Sequence, residues 1–151
     1  MGSVIIHEDW TRFDFYAHRV RRLNYAHDGS VDCSIFKEIP KYRAGPLLPA
    51  LRSLEWSHEM HAIGHPVMCI EGEFVLETLP FITSSLREID LSTHAPFSLQ
   101  LPREDEILQT FLDALPSKCP SLETLALGES MRDAAFSSLG ITGICTLCLS
   151  K

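Results

Sequence analysis

The sequence predicts an α/β fold built from a repeated unit, with parallel strands side by side in one sheet. Three observations predict it: a short apolar pattern recurs five times, helical segments lie between most of the copies, and prolines or a glycine end several of those helices. The pattern is an apolar residue, two others, a second apolar residue, one other and a third apolar residue. A fold is easily assigned wrongly when a repeat in its sequence is overlooked. We therefore base the fold prediction on this repeat rather than on any single motif.

The five copies occur in chain order, and each is typical of a strand with one buried side. Successive side chains of a strand point to opposite faces, so Leu54 and Trp56 would face the core while Ser53 and Glu55 face away from it. No copy could form a core alone, but stacked copies would share one apolar ladder. The central residues, separated by 31, 35, 36 and 22 positions, are Leu23, Leu54, Ile89, Leu125 and Leu147.

Helices between the copies would supply the crossovers that parallel strands require. Residues 1–19 are expected to form an N-terminal helix, because Trp10, Phe13 and Ala17 share one face of it. Pro40 and Pro116 are expected to end two of the later helices, because proline lacks the backbone N–H that continues a helix. Those later helices are expected over residues 34–39, from 70 or 73 to 79, 104–115 and 131–139.

Composition places the chain among globular proteins and excludes several functional classes. Its 151 residues are 45% hydrophobic and carry a net charge of −7, a sign that disfavours binding to nucleic acid. No apolar run is long enough to span a membrane, and the first ten residues lack the features of a signal peptide. We therefore expect a cytoplasmic or nuclear protein whose five cysteines are reduced core thiols.

Four segments resemble the leucine-rich-repeat region of fungal F-box proteins, of the kind abundant in mushroom-forming species. The resemblance covers nearly the whole chain. Its segments are Trp10-Thr-Arg-Phe13 with Tyr16-Ala-His-Arg-Val-Arg-Arg-Leu23, Pro46-Leu-Leu-Pro-Ala-Leu-Arg-Ser-Leu-Glu-Trp56, Ser85-Leu-Arg-Glu-Ile-Asp-Leu91, and Cys119-Pro-Ser-Leu-Glu-Thr-Leu-Ala-Leu127.

The resemblance implies that residues 1–151 form a single leucine-rich-repeat solenoid, with a parallel sheet on the concave side and helices on the convex side. It also implies the target-recognition part of an F-box-type adaptor of a cullin-based ubiquitin ligase, which is a protein-binding role. Separately, the sequence holds no catalytic motif, so neither catalysis nor a cofactor is expected. Only nine residues precede Trp10, too few for an F-box, so docking to a Skp1-type linker by this chain is doubtful. Many leucine-rich repeats carry an Asn three residues after the last apolar position, and its side chain bonds the turns above and below. In this sequence those positions hold Asp28, Glu59, His94 and Ser130.

A protein partner would bind the concave face, which the outward strand positions form. Glu55, Glu88 and Asp90 are expected to cluster on adjacent strands and to favour a basic segment of the partner. The alternative is that this cluster has no binding role, because the exposed face of a strand is usually polar. Arg19, Arg21 and Arg22 form a small basic patch on the first copy, which is most simply interpreted as solvated residues flanking an exposed helix end. The predicted partner-binding residues are Arg22, Asn24, Ser53, Glu55, Glu88, Asp90 and Thr124.

Two rival interpretations remain open. A small metal-dependent hydrolase could use His58, His61 and His65, since histidines three or four positions apart on a helix can bind Zn²⁺, although loop histidines are common without a metal. The second rival interpretation is a truncated product without a separate function. The last copy ends at Lys151, so the sheet is expected to have an open apolar edge through which the chain would self-associate. Cys145 and Cys148 have the Cys-x-x-Cys spacing of a redox pair. A redox role is disfavoured because such pairs lie at a helix N-terminus, whereas these two lie in a predicted strand.

Overall fold

A computed structural model describes residues 7–27, 34–58, 74–93 and 104–128. Strands and helices alternate along these segments, which confirms the predicted α/β class. The strands are β1 Arg22–His27, β2 Ser53–His58, β3 Glu88–Thr93 and β4 Thr124–Leu127. The helices are α1 His7–Ala17, α2 Ser34–Tyr42, α3 Phe74–Glu77 and α4 Glu104–Lys118, with a 3₁₀ turn at Leu79–Phe81.

The four described strands form one parallel sheet in the order β1-β2-β3-β4, so each new strand is added beside the previous one. Their register aligns the four copies of the apolar pattern. The central residues lie opposite one another across the sheet, as do the third residues of the pattern. The first row is Leu23, Leu54, Ile89 and Leu125, and the second is Tyr25, Trp56, Leu91 and Leu127.

An equivalent hydrogen-bonded turn precedes each of the four strands. The first apolar residue of each copy donates its N–H to the carbonyl three positions earlier, a turn that fixes the direction of the following strand. Its side chain is wholly buried in the two middle copies, Leu51 and Leu86. The four bonds are Val20 to Ala17, Leu51 to Leu48, Leu86 to Thr83 and Leu122 to Cys119, at 3.3, 3.0, 3.2 and 3.0 Å.

Neighbouring copies are also joined by the same forked backbone hydrogen bond. The carbonyl oxygen of Arg21 accepts from the N–H groups of both Arg52 and Ser53, at 2.8 and 3.1 Å. The carbonyl of Arg52 accepts in the same way from the corresponding two residues of the next copy, and that of Arg87 from the copy after it. Local geometry therefore repeats along with the apolar pattern.

The core lies on one side of the sheet. The inward strand residues and the apolar faces of the helices form one buried cluster. At its centre Trp56, which is 0% exposed, contacts rings from β1, α2 and the 3₁₀ turn. The centroid distances from Trp56 are 4.2 Å to Tyr25, 5.0 Å to Phe36 and 5.2 Å to Phe81.

Two helices end later than the sequence predicts. Pro40 lies inside α2 and Pro116 inside α4, and each helix continues for two residues beyond its proline. A proline removes only its own N–H, so near a C-terminus the remaining donors can still bond. Arg43 accordingly donates to the Ile39 carbonyl at 3.1 Å, and Cys119 to that of Leu115 at 2.7 Å.

Several predicted features lie outside the described residues. They include the fifth copy centred on Leu147, the helix expected over residues 131–139 and the four positions that replace the turn-bridging Asn. Within the described residues, Gly45 has a φ of +91°, a left-handed conformation that favours glycine, in the loop between α2 and β2. No helix among those residues combines the length and apolar character needed to cross a membrane.

Candidate functional site

The outward side of the sheet brings the seven predicted partner-binding residues onto one face. They occupy two rows that run across the strands, because parallel pairing places equivalent positions of each copy opposite one another. The first row holds Arg22, Ser53, Glu88 and Thr124, and the second holds Asn24, Glu55, Asp90 and Ala126. We call these eight residues the open face.

Three carboxylates dominate the open face. Glu55 lies directly opposite Asp90, and Glu88 precedes Asp90 by two positions on the same side of β3. Adjacent strands lie about 4.8 Å apart, so these three side chains share one small area. All three are exposed. Among the described residues no cationic side chain forms an ion pair with them, which leaves their charge available to a ligand.

Asn24 orients one of these carboxylates. Its Nδ2 donates to Oε2 of Glu55 at 2.7 Å, across the β1–β2 boundary. The bond holds Glu55 without neutralising it, because the amide carries no charge. Arg22, on the outer strand of the described sheet, supplies the single positive charge of the open face. The charge therefore changes from positive at β1 to negative at β2 and β3.

A third row beside the open face consists of small side chains. Ala26, Ser57 and Ser92 lie opposite one another where these strands approach their carboxyl ends. These side chains are shorter than those of the neighbouring Asn24–Glu55–Asp90 row. A polypeptide crossing the sheet here would meet carboxylates on one side and little steric obstruction on the other.

Side chains join the copies on the amino-terminal side of the strands. The Oγ of Ser85 lies 2.8 Å from the Pro49 carbonyl and 2.9 Å from that of Leu51, one copy earlier. Arg21 donates to the Ala50 carbonyl at 3.0 Å, one copy later. These bonds hold adjacent turns together before the strands begin, and so help to fix the spacing of the open face.

One histidine of the rival metal-site interpretation lies in the core. His58 is the last residue of β2 and points inward, where it is 5% exposed. Its Nε2 lies 3.0 Å from Oε2 of Glu77, at the end of α3. His61 and His65 lie outside the described residues. Among those that are described, no three His, Cys, Asp or Glu side chains form a group suited to a metal ion.

Sequence reasoning missed a buried polar layer at the carboxyl ends of the strands. His27 lies opposite His58, and their ring centroids are 4.7 Å apart. The Nδ1 of His27 is 3.2 Å from the hydroxyl of Tyr25, so the layer extends from Tyr25 to Glu77. The strand alternation held a signal for it, since His27 and His58 each follow a core aromatic residue by two positions. Glu77 carried no comparable signal, because its position depends on where α3 packs.

One cysteine can be placed. Cys119 follows α4, is buried and is a free thiol, in keeping with the predicted reduced core cysteines. Burial raises its pKa above the ordinary 9.0, and a hydrogen bond with the Thr83 backbone and the charge of Lys118 only partly oppose this. The thiol therefore remains protonated at neutral pH. The other four cysteines lie outside the described residues.

No protein-family model, curated protein or solved structure matches the chain. What is established is the α/β class, with a four-stranded parallel sheet and a polar, carboxylate-bearing face.

Proposed function

We propose that the chain is a protein-binding module of the leucine-rich-repeat type, and that its open face receives a basic segment of a target protein. The observation that supports this most is the one-sided sheet. Parallel sheets are usually covered by helices on both faces, whereas among the described residues the polar Asn24, Glu55, Glu88 and Asp90 are exposed on the face opposite to the core. A repeating solenoid accounts for such a sheet, because each copy adds one strand and buries only one side of it.

Charge favours a basic partner. Each exposed ion pair contributes roughly 0.5 kcal/mol, so three such pairs at Glu55, Glu88 and Asp90 give about 1.5 kcal/mol. That difference corresponds to about tenfold in Kd. The charges would act mainly on specificity and association rate, and the small side chains of the third row would let an extended backbone lie close to the sheet.

The adaptor role rests on the resemblance to fungal F-box proteins. In that role the open face would hold the protein to be ubiquitinated, while a separate F-box would recruit the ligase. Binding to a Skp1-type linker is not part of the proposal for this chain. The proposal is a target-recognition module, and it assigns no reaction to the residues of the open face.

The test compares two charge-matched variants of the chain. E55Q/E88Q/D90N removes the three carboxylates, and the control E38Q/E106Q/D113N makes the same chemical changes on α2 and α4. The probe is a fluorescent, extended peptide in which lysine and serine alternate. Wild type and control are expected to bind it with equal affinity, and the open-face variant about tenfold more weakly.

Affinity capture from native lysate then identifies the natural target. The same three proteins serve as bait, and the expected partner is retained by wild type and control and lost by E55Q/E88Q/D90N. Equal peptide affinity for all three proteins, or binding that does not weaken as salt is raised, would show that the open face is not the binding surface.

A further inference from the structure

The outer side of α1 carries an arginine–aromatic patch that the sequence pattern alone did not reveal. Arg12, Phe15 and Tyr16 occupy positions i, i+3 and i+4 of α1, so they share one face of the helix, and Arg19, two residues beyond the helix, reaches back over Phe15. All four are exposed, and the two rings are 56% and 54% accessible. The buried side of the helix is formed instead by residues such as Ala17, which belongs to the core.

Contacts within the patch organise it in the absence of any partner. The guanidinium of Arg19 lies over the ring of Phe15, 4.3 Å from its centroid. Phe15 in turn packs edge-to-face with Tyr16, at a centroid distance of 5.2 Å. Both contacts restrict side chains that would otherwise be free in solvent, which lowers the entropy lost on binding.

The helix that carries most of the patch is anchored to Arg43, the residue that follows α2. Arg43 pairs with Asp14 of α1, and its guanidinium also lies 5.2 Å from the Trp10 ring centroid and 5.6 Å from that of Phe13. One side of α1 is therefore fixed against the rest of the protein. The arginine–aromatic patch faces the other way, where a partner can reach it.

The charge of this region is opposite to that of the protein as a whole. The chain carries −7, yet Arg12 and Arg19 are followed by two more exposed arginines, Arg21 and Arg22. From residue 10 to 22 the only carboxylate is Asp14, which is paired with Arg43. Glu8 and Asp9 lie in the first turn of α1, one turn before Arg12 and at the end of the helix far from Arg19.

The geometry points to a second docking site, in which the arginine–aromatic patch binds an acidic segment of another protein. The partner's carboxylates would pair with Arg12 and Arg19, and its apolar side chains would cover Phe15 and Tyr16. Arginine and aromatic residues are the types most enriched where binding energy concentrates in protein interfaces. The site is separate from the open face and has the opposite charge preference, so the two can act on different partners.

The experiment uses a synthetic helical peptide that presents a row of glutamates beside a row of leucines. Its affinity is measured for the full chain and for R12Q/R19Q and F15A/Y16A. The matched controls are R52Q/R87Q, which removes two exposed arginines elsewhere, and Y42A, which removes an exposed ring of α2. Each patch variant is expected to bind about tenfold more weakly than wild type, and each control as wild type does.

Three comparison ligands test the choice of partner. They are the same peptide with lysine in place of glutamate, vesicles containing phosphatidylserine, and a single-stranded RNA. The inference predicts that wild type binds the acidic peptide at least about tenfold more tightly than the lysine peptide. It is overturned if the lysine peptide, the vesicles or the RNA compete as well as the acidic peptide, or if R12Q/R19Q binds as wild type does. Since the acidic peptide does not suit the open face, this result is independent of the proposed function.

Discussion

Glu55 and Asp90 lie directly opposite each other on neighbouring parallel strands, both exposed and both negative. Side chains in this relation interact across the sheet, and like charges there are unfavourable. Asn24 donates a hydrogen bond to Glu55, but among the described residues no cation is paired with either carboxylate. The chain therefore retains a local repulsion that a basic ligand would relieve.

Removing one charge of this pair should stabilise the protein. Asp90→Asn is expected to raise the free energy of unfolding by about 0.2–1 kcal/mol at low salt, because Glu55 then faces a neutral side chain. Urea denaturation at low and high salt measures the gain, which should shrink as salt screens the charges. Asp113→Asn on α4 is the control. A double-mutant cycle with Glu55→Gln that shows no coupling would contradict the repulsion.

Trp56 should be the most costly single truncation in the core. It is wholly buried and contacts the rings of Tyr25, Phe36 and Phe81. Trp56→Ala is expected to lower the free energy of unfolding by about 3–5 kcal/mol. Tyr42→Ala, which removes a ring that is 67% exposed, should change stability by less than about 0.5 kcal/mol. Similar unfolding curves for the two variants would place the core elsewhere.

The hydroxyl of Ser85 should contribute measurably to the contact between adjacent copies. It lies within hydrogen-bonding distance of the carbonyls of Pro49 and Leu51. Ser85→Ala is expected to cost about 1 kcal/mol in the free energy of unfolding. Ser57→Ala serves as the control, because the Ser57 hydroxyl makes only a long contact of 3.5 Å with the Tyr25 carbonyl. A smaller loss for the Ser85 variant than for the Ser57 variant would show that the bond does not hold the turns.

Burial of Cys119 predicts a loss of stability at alkaline pH. Because burial raises the pKa of the folded thiol above 9.0, the unfolded chain loses this proton first as pH rises. The contribution is fully present below the unfolded pKa and disappears as pH rises through the higher folded pKa. Urea denaturation between about pH 7 and about pH 10 should show a shallower decline for Cys119→Ala than for wild type. If the free energy of unfolding declines equally with pH in both proteins, burial does not raise the pKa of the Cys119 thiol.

Much of the sheet was predictable from the sequence because one physical requirement determines it. Leu54, Ile89 and Leu125 can share a core only if their strands align without a register shift, and a shift by one residue would expose them. The same alternation placed Glu55 and Asp90 together on the open face. The structure agrees with both predictions for the four described copies.

Other features depended on packing that no short pattern encodes. Leu79–Phe81 forms a 3₁₀ turn that places Phe81 against Trp56, although the sequence predicted only a helix in this interval. The pairing of His58 with Glu77 required knowing where α3 lies. The sequence predicted that Trp10, Phe13 and Ala17 would form one apolar stripe on α1, and only the structure separates the buried Ala17 from Phe13, which is 37% exposed.

The most direct test of the repeating architecture is the contact between β4 and the fifth copy, measured by NMR. Nuclear Overhauser effects between backbone amides of residues 124–127 and 146–149, recorded on the deuterated full chain, report strand pairing and direction. A fifth parallel strand predicts contacts that place Leu147 beside Leu125, in the register that joins Leu125 to Ile89. Antiparallel contacts, or none between these segments while those between β3 and β4 are observed, would contradict the five-copy solenoid.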